Sequence, residues 1–163
     1  MEDNKLTISK IKEGTVIDHI AAGKGLLIPH ILGLDLGSGD TFTVLVNAKS
    51  SQMKKKDIVK IQNRELLKKE VDVVALIAPD ATINIIKNYN VAEKRKAMLP
   101  KQIEGLLKCL NSACITNNEP EARTNFELIS SSPLEMKCMY CSTDLNESEA
   151  LNQLSGRKAF TAD

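Results

Sequence analysis

Four cysteines, Cys109, Cys114, Cys138 and Cys141, are the residues of this chain best suited to chemistry, and they form two pairs, Cys109-x4-Cys114 and Cys138-x2-Cys141. Each pair can bend into a tight knuckle that turns two sulfurs toward one point. Two knuckles complete a tetrahedral shell of thiolates, the ligand set of a structural zinc ion. With sulfur at every position, no place is left for an activated water, so the spacing points to structure and not to catalysis. An iron–sulfur or rubredoxin-like iron site uses the same donors. Zinc suits a chain with no other redox feature. The competing readings are four unrelated thiols, or two disulfides in an exported protein. Against export, the N-terminus Met1-Glu2-Asp3-Asn4-Lys5 lacks the apolar stretch of a signal peptide. The expected location is therefore the cytoplasm, where clustered cysteines point to metal before disulfides.

The other polar residues that could act together lie before the cysteines. Asp18 and His19 are adjacent on an expected strand, and neighbouring strand residues face opposite sides, which makes them a poor catalytic dyad. Lys60 interrupts an apolar strand on the face of Ile58 and Gln62, and Asn84 shares a face with Thr82 and Ile86. Lys94 follows, and Lys54, Lys55 and Lys56 form a basic run. Such a run is ordinarily a solvated loop. Gathered at one end of a sheet, however, these amines could neutralise phosphates. No Walker sequence or G-x-G-x-x-G turn is present, so anion binding would rest on side chains. His30 reads as a buried or rim histidine. There is no nucleophile elbow and no Ser-His-Asp or Cys-His set.

The elements that must position these residues follow from apolar patterning. Hydrophobic residues make up 42% and aromatic residues 3% of the chain, without Trp, so the core must come from Ile, Leu and Val. The net charge of +1 gives no footprint for duplex nucleic acid or an anionic membrane. No apolar run approaches the ~20 residues of a transmembrane helix. Strands are expected at residues 15–20, 41–46, 57–62 and 82–86, the last with an alternative end past Tyr89 at Val91. A helix is expected over 21–34, kinked or started late by Pro29. A second is expected over 66–75, with Asn63 as N-cap. The order β-α-β-β-α-β is the split βαβ arrangement of ferredoxin-like folds, helices on one face of an antiparallel sheet. An open sheet face of this kind suggests a dimer. Pro100 closes the charged stretch 93–96, which divides the chain into domains 1–100 and 101–163. The second has little to bury and needs metal to fold. The expected class is α+β, with a small all-β, zinc-ribbon-like C-terminal domain. The tail from Ser148 reads as exposed helix or frayed end.

Gly14-Thr15-Val16-Ile17-Asp18-His19-Ile20, Lys56-Asp57-Ile58-Val59-Lys60-Ile61-Gln62-Asn63, Ala78-Pro79-Asp80-Ala81-Thr82-Ile83-Asn84 and Asn88-Tyr89-Asn90-Val91, with the two cysteine pairs, resemble the regulatory chains of aspartate carbamoyltransferase. The resemblance covers residues 4–141. It implies a chain with no catalytic activity that serves pyrimidine biosynthesis. Its first domain would bind the nucleotide effectors CTP, ATP and UTP and pair with a second regulatory chain. Its zinc domain would dock on the catalytic chain, in a holoenzyme of two catalytic trimers and three regulatory dimers. By position, the resemblance implies that Asp18 and Lys60 meet the ribose, His19 the phosphate region, and Asn84 and Lys94 the phosphates. The backbones of Ile11 and Tyr89 would read the base edge, Val16, Ile86 and Val91 would wall the pocket, and Lys56 would serve a neighbouring second nucleotide. Ile8-Ser9 in place of Val-Glu, and Ile85 beside Asn84, depart from the family pattern and bear on which nucleotide acts. The main rival is a four-cysteine nucleic-acid-binding ribbon, against which stand balanced charge and few aromatic residues. A second rival is a small-molecule enzyme of ferredoxin-like fold, against which stands the absence of an acid, base or nucleophile set.

Overall fold

A computed structural model describes residues 9–34 and 37–156. The expectations placed on Ile8 and on the tail after Gly156 lie outside the described residues. The first part of the chain runs β1 (Gly14–Ala21), α1 (Leu27–Ile31), β2 (Phe42–Ser50), β3 (Lys54–Gln62), α2 (Lys68–Ile77), β4 (Thr82–Lys87) and β5 (Asn90–Lys96). The strands lie in the order β2-β3-β1-β4-β5, with every neighbouring pair antiparallel. Strand β3 therefore separates β1 from β2, which is the split crossover expected from the element order. Alternation decides the two faces. Ile17, Val59, Ile61 and Ile83 are buried together with Ile28 of α1 and Val73 and Leu76 of α2. Val16, Ile58, Lys60 and Asn84 fall on the other face, which no helix of this sheet covers.

Three expectations are corrected here. The last strand does not run on past Tyr89: Asn88 and Tyr89 have φ of 50° and 65°, and they reverse the chain into β5. This is the left-handed pair that a two-residue hairpin of the right twist requires. The second helix begins at Lys68, not 66, and Asn63 is no cap. Asn63 has φ 57°, and its N–H donates to the Glu13 carbonyl at 3.0 Å. The helix start is instead satisfied by the buried Glu70, whose carboxylate accepts the Leu67 N–H at 2.8 Å and is ion-paired with Arg64. The first helix is only the five residues of α1. Pro29 sits in its first turn, where a missing N–H costs nothing, so Pro29 marks a late start.

The second part forms β6 (Gln102–Glu104), α3 (Ile115–Asn118), β7 (Asn125–Ser131), β8 (Leu134–Cys138), β9 (Asp144–Asn146) and α4 (Glu147–Ser155), with an antiparallel sheet ordered β6-β7-β8-β9. Ile103, Leu107, Phe126, Leu134, Met136 and Leu145 are each at most 2% exposed and join the core of the first domain. The tail is not an exposed helix. Asn146 caps α4 reciprocally with Glu149, at 2.8 and 2.9 Å. Ala150 and Leu154, one turn apart, are buried on its inner stripe. The C-terminal domain is therefore a small sheet closed by one packed helix, and not all-β.

Candidate functional site

The open face of the five-stranded sheet carries a cavity of about 560 Å³. Cross-strand register builds it. Val16 of β1 stands between Lys60 of β3 and Asn84 of β4, and Asn84 stands opposite Lys94 of β5. Ile58, Ile86 and Val91 supply apolar wall, and Ile11, Lys10, Tyr89 and Asn90 close one end. Asp18, His19 and Thr82 line it as well.

That Asp18 and His19 share the cavity corrects the expectation of opposed faces. Strands β1 and β3 pair Ile17 with Val59 and then Ile20 with Asp57, so Asp18 and His19 together stand opposite Ile58 alone. This is a β-bulge, with His19 left-handed at φ 59°. The extra residue resets the alternation, and Ile17 and Ile20 are both fully buried although three apart. A second bulge does the same in β5, where Ile85 pairs with Glu93 and Ile86 with Val91. It brings Val91 and Lys94 onto the cavity side together.

Asp57, fully buried, pairs with Ile20 at the end of the first bulge, and its carboxylate ties the loop after β1 to β2. Its Oδ2 accepts the N–H groups of Gly23 and Gly25 at 2.8 and 2.9 Å, and its Oδ1 accepts the Asn47 N–H at 2.9 Å. Asn47 belongs to a further bulge, in β2, opposite the same aspartate. Sequence reasoning passed over Asp57 as the first residue of a strand. A carboxylate within a β-branched run, with Gly-Lys-Gly in the loop after β1, was the available signal.

Beside the cavity, Lys56 Nζ lies 2.8 Å from Asp18 Oδ1, which also accepts the His19 N–H at 2.6 Å. Burial pushes the Asp18 carboxyl up, but Lys56 and the His19 N–H outweigh it, and its pKa ends below the usual carboxylate range. The pair therefore stabilises the fold at neutral pH, and that contribution fades as pH falls through the depressed pKa. Burial lowers the Lys60 pKa, opposed by Asp18, and Lys60 Nζ donates to the Ser9 carbonyl at 3.3 Å. Lys56 does not line the cavity. Ile85 is buried on the core face, away from Asn84. An adjoining cavity of about 570 Å³ shares His19, Thr82 and Lys94 and adds Arg95 and Lys96.

Sequence reasoning did not name Lys10, Ile58, Thr82 or Asn90 as cavity residues. Ile58 and Thr82 were legible as face-mates of Lys60 and Asn84. Lys10 belongs to a segment with no strand pattern, and Asn90 follows a turn that the expected continuous strand left out, so only a folded backbone decides their direction.

The four cysteines come together as their spacing predicts. The sulfurs lie within 4.8 Å of one another, with Cys109 and Cys141 at 3.5 Å and Cys114 and Cys138 at 3.9 Å. A tetrahedral ion with bonds of about 2.3 Å needs sulfurs about 3.8 Å apart, so the set fits such a metal. The first knuckle is fixed by amides. Asn117 Nδ2 donates to the Cys109 and Asn111 carbonyls, and Asn118 Nδ2 to those of Ser112 and Cys114, at 2.8–2.9 Å. Thr116 and Thr143 hydroxyls lie 3.2 and 3.1 Å from Cys114 and Cys141 sulfur, where they can donate to thiolates. Burial pushes the Cys109 thiol up to about 12, whereas the Thr143 hydroxyl and backbone draw Cys141 down to about 6. Among the described residues, no helix is long and apolar enough to cross a membrane.

Comparison with known families agrees with both halves. Residues 6–98 match the model of the aspartate carbamoyltransferase regulatory chain, allosteric domain, and residues 101–151 match its metal binding domain. The regulatory chain of Metallosphaera sedula is 49% identical over 151 residues, covering 93% of this chain and 96% of the relative. That of Saccharolobus islandicus strain L.S.2.15 is 47% identical over 151 residues, covering 93% and 95%. That of Korarchaeum cryptofilum is 48% identical over 153 residues, covering 93% and 98%. The non-catalytic reading agrees with the name these relatives carry. The chain belongs to the family of aspartate carbamoyltransferase regulatory chains.

Proposed function

We propose that residues 1–100 bind nucleotide effectors, CTP, ATP and UTP, in the open-face cavity, and that residues 101–163 form a zinc domain that docks on the catalytic chain of a cytoplasmic aspartate carbamoyltransferase. The observation that carries this is the convergence of Lys60, Asn84, Lys94, Asp18 and His19 around one partly apolar cavity without a nucleophile. In this reading Asp18 and Lys60 hold the ribose and Asn84 and Lys94 the phosphates, while Val16, Ile86 and Val91 wall the base. His19 Nδ1, buried and without a hydrogen-bond partner among the described residues, meets the phosphate region. The Tyr89 N–H is engaged by the Lys12 carbonyl at 3.0 Å. In this reading the Tyr89 carbonyl accepts from a base amino group, beside the backbone of Ile11. The adjoining basic cavity, with Lys56 near its neighbour Asp18, would take the end of the triphosphate or a second nucleotide.

The edge strand β2, with Phe42, Val44 and Val46 half-buried, supports pairing with a second regulatory chain. Zinc is the metal the four thiolates fit best: they would hold the ion, which supplies rigidity and no chemistry.

Calorimetric titration of the full chain with CTP, ATP and UTP tests the effector reading. Lys60→Ala and Lys94→Ala each remove a charged hydrogen bond worth about 1.5–3 kcal/mol, so affinity should fall about 10- to 100-fold. Assembly with catalytic chains should be unchanged, because both amines lie on the open face of the other domain. Equal nucleotide affinity in both variants and the wild type would overturn the ribose and phosphate assignments.

A further inference from the structure

Helix α4 of the metal-binding half is tied at both ends to the other half. Lys24 Nζ stands 2.7 Å from Glu147 Oε1 in its first turn, with side chains 26% and 36% exposed. His30 Nε2 lies 3.0 Å from the carbonyl of Ser155 at its end. Between these contacts Ala150 and Leu154 are buried. A hinge movement of the metal domain against the five-stranded sheet must therefore strain or break this clasp.

Lys24 is anchored toward the cavity. It sits between Gly23 and Gly25, whose N–H groups both end on Asp57 Oδ2. A Cβ at Gly25 would stand 2.6 Å from Asp57 Cβ, so the loop lies directly against that side chain. Asp57 pairs with Ile20, the residue that ends the bulge carrying Asp18 and His19. Its neighbours in β3 both reach the cavity, Ile58 as wall and Lys56 through its ion pair with Asp18. From cavity to α4 there is thus an unbroken series of hydrogen bonds, strand pairing and one interdomain ion pair.

We infer that the Lys24–Glu147 clasp, carried on the loop bound by Asp57, couples ligand occupancy of the open-face cavity to the position of α4 and the metal domain. This rests on the cavity being the effector site. A ligand that engages His19 and competes with Asp18 for Lys56 acts on the bulge itself. The bulge shares Asp57 with the loop that holds Lys24. A shift can be transmitted only if the clasp differs in strength between the two arrangements of the domains. The covalent route through Ala97–Pro100 runs in parallel, and a charge exchange separates the two.

The test uses holoenzyme reconstituted with Lys24→Glu, Glu147→Lys and the two combined, and follows the nucleotide-induced shift in aspartate half-saturation. Each single change sets like charges together and should shrink that shift about two- to fivefold, the worth of a half-exposed pair. Nucleotide affinity of the full chain should stay within about twofold, and the double exchange should restore the shift. Lys24→Met and Glu147→Gln, which remove the pair without repulsion, should show a milder loss and guard against misfolding in the charge variants. Undiminished shifts in all four single variants, or no restoration in the double, would overturn the inference. A wild-type chain that binds no nucleotide would instead overturn the effector reading, and this coupling with it.

Discussion

Chelation of the metal should release this chain from catalytic trimers and unfold residues 101–155, while the freed trimers keep their activity. The C-terminal sheet is built of short elements around the four cysteines. Strands β6 and β9 are three residues long, α3 is four, and β8 ends on a ligand, Cys138. Cys109, Cys114 and Cys138 are buried, so the ion would sit among side chains that otherwise form the domain's core. Structural zinc in domains of this size contributes about 10–16 kcal/mol of apparent binding energy, against about 5–15 kcal/mol for the stability of a whole domain. A thiol reagent or the single change Cys114→Ser should therefore act like the chelator. Acid should do so too. The ligands bind as thiolates, and protons compete with the ion as pH falls. Metal content, circular dichroism and sedimentation check the result. Loss of trimer activity together with the metal would refute the regulatory reading, and a C-terminal sheet that persists after chelation would refute the structural role of the ion.

The metal site was legible because its information is local: four residues of one type at knuckle spacing carry the geometry with them. Strands β1 and β3 were legible for a similar reason, since Ile17, Val59 and Ile61 alternate with residues of the other face. What the sequence hid were places where one residue breaks the alternation. The bulge at Asp18–His19 turns two neighbours to one side, and the residue paired with its end, Asp57, comes from another strand, 39 positions on from Asp18. The β4–β5 hairpin was missed because Asn88-Tyr89 is not the Asn-Gly pair that marks such turns, although both residues take left-handed φ. Helix α4 looked exposed because only Ala150 and Leu154 form its buried stripe, and two apolar residues one turn apart do not stand out among polar ones. In each case a long-range contact chose between conformations that local propensity left nearly equal.

The same reasoning makes Asp57 the side chain outside the metal centre whose loss should be felt most. Asp57→Ala leaves the N–H groups of Gly23, Gly25 and Asn47 without their acceptor, beneath a fully buried position. An unsatisfied buried donor costs about 1–3 kcal/mol, so even with partial hydration the variant should lose about 3–5 kcal/mol in urea unfolding. Asp57→Asn should fall between. Its one carbonyl oxygen can serve the two glycines or Asn47, but its amide group, a donor, then faces the remaining N–H. Nucleotide affinity should fall in both variants although Asp57 does not touch the cavity, because the loop that follows the Asp18–His19 bulge and the bulge of β2 lose their tie. Lys60→Ala makes the contrasting control, with lower affinity at nearly unchanged stability, since among the described residues its amine makes one long hydrogen bond, to the Ser9 carbonyl at 3.3 Å. If Asp57→Ala unfolds within about 1 kcal/mol of the wild type, the three hydrogen bonds contribute far less than buried charged acceptors do elsewhere. The bulges would then be held by strand pairing alone, and the geometry of the cavity would no longer depend on a residue beneath it.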